Sequence, residues 1–111
     1  MSAPAFDPVI HPPTRLQVMA VLVNIDEAEF ATLRGMTQVS DSVLSKHLSA
    51  LVEAGYVKLR KAATGGRQRT WAGATRAGRA AFDRHVDALK QLAGLTGAPA
   101  PLSPDSAAAS G

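Results

Sequence analysis

Four stretches of the chain repeat apolar residues at helical spacing, and one stretch alternates instead. Leu16, Met19, Ala20, Leu22 and Val23 predict a first helix, opened by Pro12 and Pro13, whose missing N–H groups cost nothing in a first turn. Asn24 to Glu29 breaks that period. Phe30, Leu33 and either Met36 or Val39 predict a short second helix, weakened by Gly35 and limited to about two turns. Leu44, Leu48, Leu51 and Val52 predict a third, with Ser40 as its N-cap, Asp41 in its first turn and Gly55 just past its end. In "YVKLRKA", Val57 and Leu59 alternate with Lys58 and Arg60, which reads as a strand. "RTWAGA" reads as a second strand, and Gly65-Gly66 between the two as a hairpin turn. Thr75 caps a last, long helix to about Leu95, striped by Phe82, Val86, Leu89, Leu92 and Ala93.

The flanks lack such order. Residues 1–11 have no clear period and read as an arm. The stretch from Thr96, rich in Pro, Ala, Ser and Gly, reads as a disordered tail over 96–111. One domain, 12–95, remains between them. The whole chain has 111 residues, which suits one domain and not two. A domain this small buries a modest share of its surface and gains from a partner subunit.

The distribution of charge is more telling than the composition. The net charge is only +3, but no acidic residue lies between Glu53 and Asp83. That interval holds Lys58, Arg60, Lys61, Arg67, Arg69, Arg76 and Arg79, seven of the twelve basic residues. A local field of one sign attracts a polyanion. The chain has no cysteine, which excludes disulfides, thiolate metal sites and cysteine nucleophiles. His11, His47 and His85 are scattered, and His85 with Asp83 or Asp87 makes a poor ligand set on one helix, so no metal site is expected. His47, at the border of the third helix's apolar side, reads as a packed, hydrogen-bonded histidine. No nucleophile with a neighbouring base, phosphate loop or paired carboxylates is visible, so neither an enzyme nor a cofactor is expected. With no signal peptide and no apolar run near the ~20 residues of a membrane span, the expected location is the cytoplasm.

The order helix, short helix, helix, basic hairpin, long helix describes a winged helix-turn-helix, mainly α with a small β-hairpin wing. "LSKHLSALVEAGYVKLRK", "GGRQRTW" and "TRAGRAAF" resemble the winged-helix regulators of the MarR and ArsR type, most of all the compact MarR-like group. "DPVIHPPTRLQVMAVL" resembles that group's first helix, so the likeness runs over residues 7–93. The resemblance implies a dimeric regulator of transcription that reads double-stranded DNA with its third helix.

With Leu44 at the centre of the buried side, ~100° per residue puts Ser42, Lys46, Ser49 and Glu53 on the far side and Ser45 at its edge. Lys46 has the reach for guanine or a phosphate. The family's base-contacting role falls on Ser42, Ser45, Lys46 and Ser49, and Val43 on the flank is placed to touch a thymine methyl. Arg67 and Arg69 match the wing positions that enter a minor groove, where arginine senses groove width. Lys58, Arg60 and Lys61 fall to phosphates or solvent, and Arg34 on the short helix to the DNA backbone. Trp71 reads as a core or interface anchor.

The terminal stripe of Phe82, Val86, Leu89 and Leu92 is expected to form a homodimer, with Leu16, Met19 and Val23 of the first helix sharing the interface. Two recognition helices about one turn of DNA apart, ~34 Å, imply a pseudo-palindromic operator. Blocking a promoter by occupying it makes a repressor. The resemblance also implies release of DNA by a small-molecule effector, although no diagnostic pocket residue is visible. The alternative reading is a winged-helix module that docks a protein rather than DNA.

Overall fold

The computed structural model describes residues 6–94. The expected disordered tail and the first five residues of the arm lie outside them. Along the chain the elements are helix α1 (Pro13–Leu22), strand β1 (Ala28–Glu29), helix α2 (Phe30–Thr37), helix α3 (Asp41–Glu53), strands β2 (Val57–Thr64) and β3 (Arg67–Ala74), and helix α4 (Arg76–Leu92).

The helix signals in the sequence act as local physics requires. The Ser40 hydroxyl accepts from the Val43 N–H (3.2 Å) and so starts α3. Its end is closed twice: Tyr56 N–H donates to the Leu51 carbonyl and Gly55 N–H to that of Val52, both at 2.9 Å. That closure needs a left-handed residue, and Gly55 supplies it at φ 81°. Thr75 caps α4 by accepting from the Gly78 N–H (3.0 Å) while its hydroxyl donates to the Gly55 carbonyl (2.6 Å). The end of α3 and the start of α4 are therefore tied through one threonine.

The sheet has one strand more than the pattern predicts. β2 and β3 pair antiparallel from Val57↔Ala74 to Thr64↔Arg67, and β1 adds to the free side of β3 through Ala28↔Ala72 and Glu29↔Trp71. Two residues are too few to show a period, so this strand hides within the break of Asn24–Glu29. Ala28 packs into the core beside Ala72.

The core is aliphatic: Val18, Met19 and Leu22 of α1, Leu33 of α2, Leu44, Leu48 and Leu51 of α3, with Val57, Ala72 and Ala81. Burying a leucine is worth about 1.5–3 kcal/mol, so the three leucines of α3 alone anchor that helix firmly. Of the two candidates for the third apolar position, Val39, just past the end of α2, packs on the core, while Met36 is exposed. Val52, expected on the buried side of α3, is 38% exposed. It lies ~100° round the helix from Leu51, beyond the edge that the leucines cover.

Three further differences matter for function. Met19, expected at a subunit interface, is fully buried within its own domain, whereas Leu16 and Val23 only partly pack on the core. On α4 the side turned inward is not the apolar stripe but Gly78, Ala81, His85 and Ala88. Gly78 allows this approach, because a Cβ there would run into the backbone carbonyl of Tyr56. Phe82, Val86 and Leu89 are left half-buried, and Leu92 is 67% exposed. Finally, residues 6–11 of the expected arm dock on the domain: Ile10 is fully buried and Val9 packs beside it. A segment with only one or two inward side chains has no period to read.

Candidate nucleic-acid interface

Helix α3 exposes Ser42, Val43, Ser45, Lys46 and Ser49 together, since its leucines hold the opposite side inside. Small hydroxyls leave room for close approach by a base edge or phosphate, and Lys46 forms no salt bridge among the described residues. His47 is half-buried and accepts from the Arg15 Nε–H at Nδ1 (3.0 Å). Burial, and then the Arg15 charge, push its pKa below the ordinary value, so it stays a neutral packing group.

Strand register sorts the basic residues into two groups. Val57, Leu59 and Lys61 share the side of β2 that faces the helices, and a cleft of about 220 Å³ there is lined by Ser45, Ser49, Leu59, Lys61 and Thr70. Lys61 is thus the basic residue of β2 beside the exposed side of α3. The sequence pattern assigns it only to phosphate or solvent, although the alternation Val57–Leu59–Lys61 carries the signal.

The other side of the sheet holds Lys58, Arg60, Arg67, Arg69 and the half-buried Trp71. Arg60 donates from Nε and Nη2 to the two carboxylate oxygens of Glu27, at 2.9 and 2.7 Å, and its guanidinium lies 5.7 Å from the centre of the Trp71 ring. The Arg60 hydrogen bonds hold the Glu27 carboxyl below its usual range. Arg69 donates from Nη1 to both carboxylate oxygens of Glu29, at 3.1 and 3.2 Å. Arg34 pairs with Asp41 across the turn between α2 and α3 at 2.8 Å. Three arginines expected to face DNA are therefore engaged with carboxylates of their own chain. Arg67, at the end of β3 next to the hairpin turn, forms no such pair among the described residues, nor do Lys58 and Lys61.

Behind this surface a polar cluster joins residues 6–11 to α4. The Asp7 N–H donates to Nδ1 of the fully buried His85 (3.0 Å), which assigns the His85 proton to Nε2 and lets it donate to His11 Nδ1 (3.2 Å). The Tyr56 hydroxyl donates to Asp7 Oδ2 (2.6 Å). Burial, followed by the His11 charge, lowers the His85 pKa, with Asp7 opposing. Burial alone would raise the Asp7 carboxyl, but hydrogen bonds from Tyr56 and from the backbone of Val9 and Ile10, with the His85 charge, bring it below its ordinary value. Scattered positions in the sequence gave no hint that His11 and His85 meet.

A half-exposed basic hairpin beside a helix that shows a polar side defines a nucleic-acid-binding class of winged helix-turn-helix. Residues 14–93 match the family model described as "Winged helix DNA-binding domain", and the chain belongs to that family. It is 32% identical over 78 residues to an uncharacterised protein of Methanocaldococcus jannaschii, covering 70% of this chain and 85% of that one. Its structure is similar to that of a transcriptional regulator homologue from Pyrococcus horikoshii OT3, with TM-score 0.72 and 26% identity over 78% of this chain and 85% of the other. The fold is also that of ZitR, a zinc-responsive MarR family member of Lactococcus lactis, with TM-score 0.56 and 17% identity over 73% of this chain and 55% of ZitR. The protein is thus a DNA-binding regulator of the winged-helix family, and its fold is shared with MarR family members.

Proposed function

We propose that the protein represses transcription by binding a pseudo-palindromic operator as a homodimer. In this reading α3 enters the major groove, with Ser42, Ser45, Lys46 and Ser49 at base edges or phosphates and Val43 against a thymine methyl. Arg67 leads the wing into the adjacent minor groove, and Lys61 and Lys58 reach the flanking phosphates. The observation that carries the reading is the joint exposure of these α3 side chains beside Lys61 and near Arg67, none of the basic ones paired within the described residues. The dimer would form on the incompletely covered stripe of Phe82, Val86, Leu89 and Leu92, joined by Leu16 and Val23.

Control by a small-molecule effector belongs to the same proposal. A cleft of about 630 Å³ between residues 6–8, Tyr56 and α4, with Arg84 and Gln91 on its wall, offers the room. The cytoplasm, where a promoter is reached, is the fitting location. Among the described residues no helix is long and apolar enough to cross a membrane.

Selection of bound duplexes from a random pool tests the reading directly. Two half-sites about one helical turn apart are expected, with affinity falling steeply as salt rises. Arg67→Ala should weaken binding to all sequences several-fold, whereas Lys46→Ala should also change the preferred half-site. No duplex affinity at low salt, or a flat salt response, would favour a protein-docking module instead.

A further inference from the structure

The three salt bridges among the described residues all join an arginine of the DNA-facing set to a carboxylate: Arg34–Asp41, Arg60–Glu27 and Arg69–Glu29. The interval from Glu53 to Asp83 carries no acid of its own, so the acids that meet the wing come from before it. Glu29 belongs to β1, and Glu27 directly precedes that strand, so this short edge strand lays two carboxylates along the basic sheet. Pairing Glu29↔Trp71 sets the Glu29 side chain on the same sheet side as Arg69, two residues away along β3.

The two wing pairs are not equally closed. Arg60 is gripped through two nitrogens and lies over Trp71, which fits it as a staple of the sheet. Arg69 uses one terminal nitrogen only, at 3.1 and 3.2 Å, which leaves its other N–H groups available. Both pairs are accessible, 39% and 22% exposed for Arg69 and Glu29 against 52% and 32% for Arg60 and Glu27, so both hold weakly and the bonding geometry alone sets them apart. Glu29, Arg69, Arg67 and Asp41 line one cleft of about 550 Å³ between the wing and the start of α3. A phosphate approaching α3 meets this cleft, where the Glu29 carboxylate already occupies the arginine that the phosphate would take.

We propose that Glu29, assisted by Glu27, is an internal counter-ion that competes with DNA phosphate for the wing arginines and holds affinity below what the wing's charge would give. The inference rests on the DNA-binding reading above and deepens it. Glu29 and Glu27 are positioning residues: they act through Arg69 and Arg60 and touch no DNA themselves. The unpaired Arg67, Lys61 and Lys46 supply binding in the wild-type chain, and the sequestered arginines supply a reserve.

The test is titration of a random-sequence duplex of roughly 30 base pairs with the full chain at graded salt. Each arginine released to a phosphate should steepen the log–log salt slope by about 0.9. Glu29→Gln should therefore bind several-fold tighter at low salt with a steeper slope, and Glu27→Gln/Glu29→Gln should steepen it further. Arg69→Gln should change little in the wild-type chain but erase the gain in Glu29→Gln. An unchanged or weaker Glu29→Gln, with circular dichroism showing the fold intact, overturns the proposal. So does a wild-type chain that already loses slope on Arg69→Gln, since Arg69 would then be on DNA despite Glu29. Failure of the wild-type and every variant to bind at low salt removes the DNA-binding reading and this inference together, a result distinct from normal wild-type binding with no gain in the variants.

Discussion

Helices α3 and α4 solve opposite problems. α3 buries its large side chains, Leu44, Leu48 and Leu51, and shows small polar ones. α4 turns Gly78, Ala81, His85 and Ala88 inward and leaves Phe82, Val86, Leu89 and Leu92 half-buried or exposed. The first is complete within one chain, and its free side is dispensable to folding. The second packs Phe82 partly on the core but leaves Val86, Leu89 and above all Leu92 incompletely covered by their own chain. A helix whose exposed side is polar can be shaped for recognition without risk to the core. A helix whose exposed side is apolar is stable in water chiefly as part of an assembly.

The sharpest way to break this contrast is to truncate a leucine on each helix. Leu48→Ala should lower unfolding free energy by about 2–5 kcal/mol in urea titrations, because a fully enclosed side chain leaves a cavity. Leu92→Ala should leave the stability of the isolated chain almost unchanged. Equal losses would mean that α4 is not the incomplete helix described here.

A smaller effect is expected from charge placed on the stripe. Val86→Glu/Leu89→Glu should raise the dissociation constant of the proposed dimer by about 30-fold, roughly 2 kcal/mol, read by light scattering across concentration. Helix content should persist, since neither side chain belongs to the protomer's buried set. The same charges placed at Ser45 and Ser49 should leave self-association unaltered and abolish duplex binding.

The smallest effect is on pH dependence, and it separates the inward sides of the two helices. His85 and His47 have lowered pKa values when folded, so the unfolded chain binds more protons below about 6.5. Their contribution is fully present above that value and is lost as pH falls through the folded pKa values. Asp7, also lowered, contributes above its ordinary 3.8 and is lost only at more acid pH. The thermal midpoint should thus fall by a few degrees between pH 7.5 and 5, then again below pH 3.8. His85→Gln should be less stable at pH 7.5 but lose less on acidification to pH 5.

What could be read from sequence follows from the same contrast. The caps at Ser40 and Thr75, the closure at Gly55 and the leucine face of α3 are local, and each residue announces its own role. The buried side of α4 is silent, because glycine, alanine and histidine carry no hydrophobic pattern. Its louder stripe marks the surface left uncovered by the protomer instead. Likewise β1 is two residues long, the docking of Ile10 shows no period, and the acid partners of Arg60 and Arg69 appear only once distant segments meet. For the candidate interface, the alternation that exposes Lys61 was legible, whereas the engagement of Arg60 and Arg69 was not.

Gly78 has a consequence beyond packing. Its bare backbone lies against Tyr56, the residue that follows the Gly55 closure of α3 and leads into the wing. With Thr75 clasping the Gly55 carbonyl, α3 and α4 are joined at one point. In the proposed dimer, a small rotation between the two copies of α4 would become a change in the distance between the two reading heads. The operator's half-site spacing would then act as a gauge of the subunit interface.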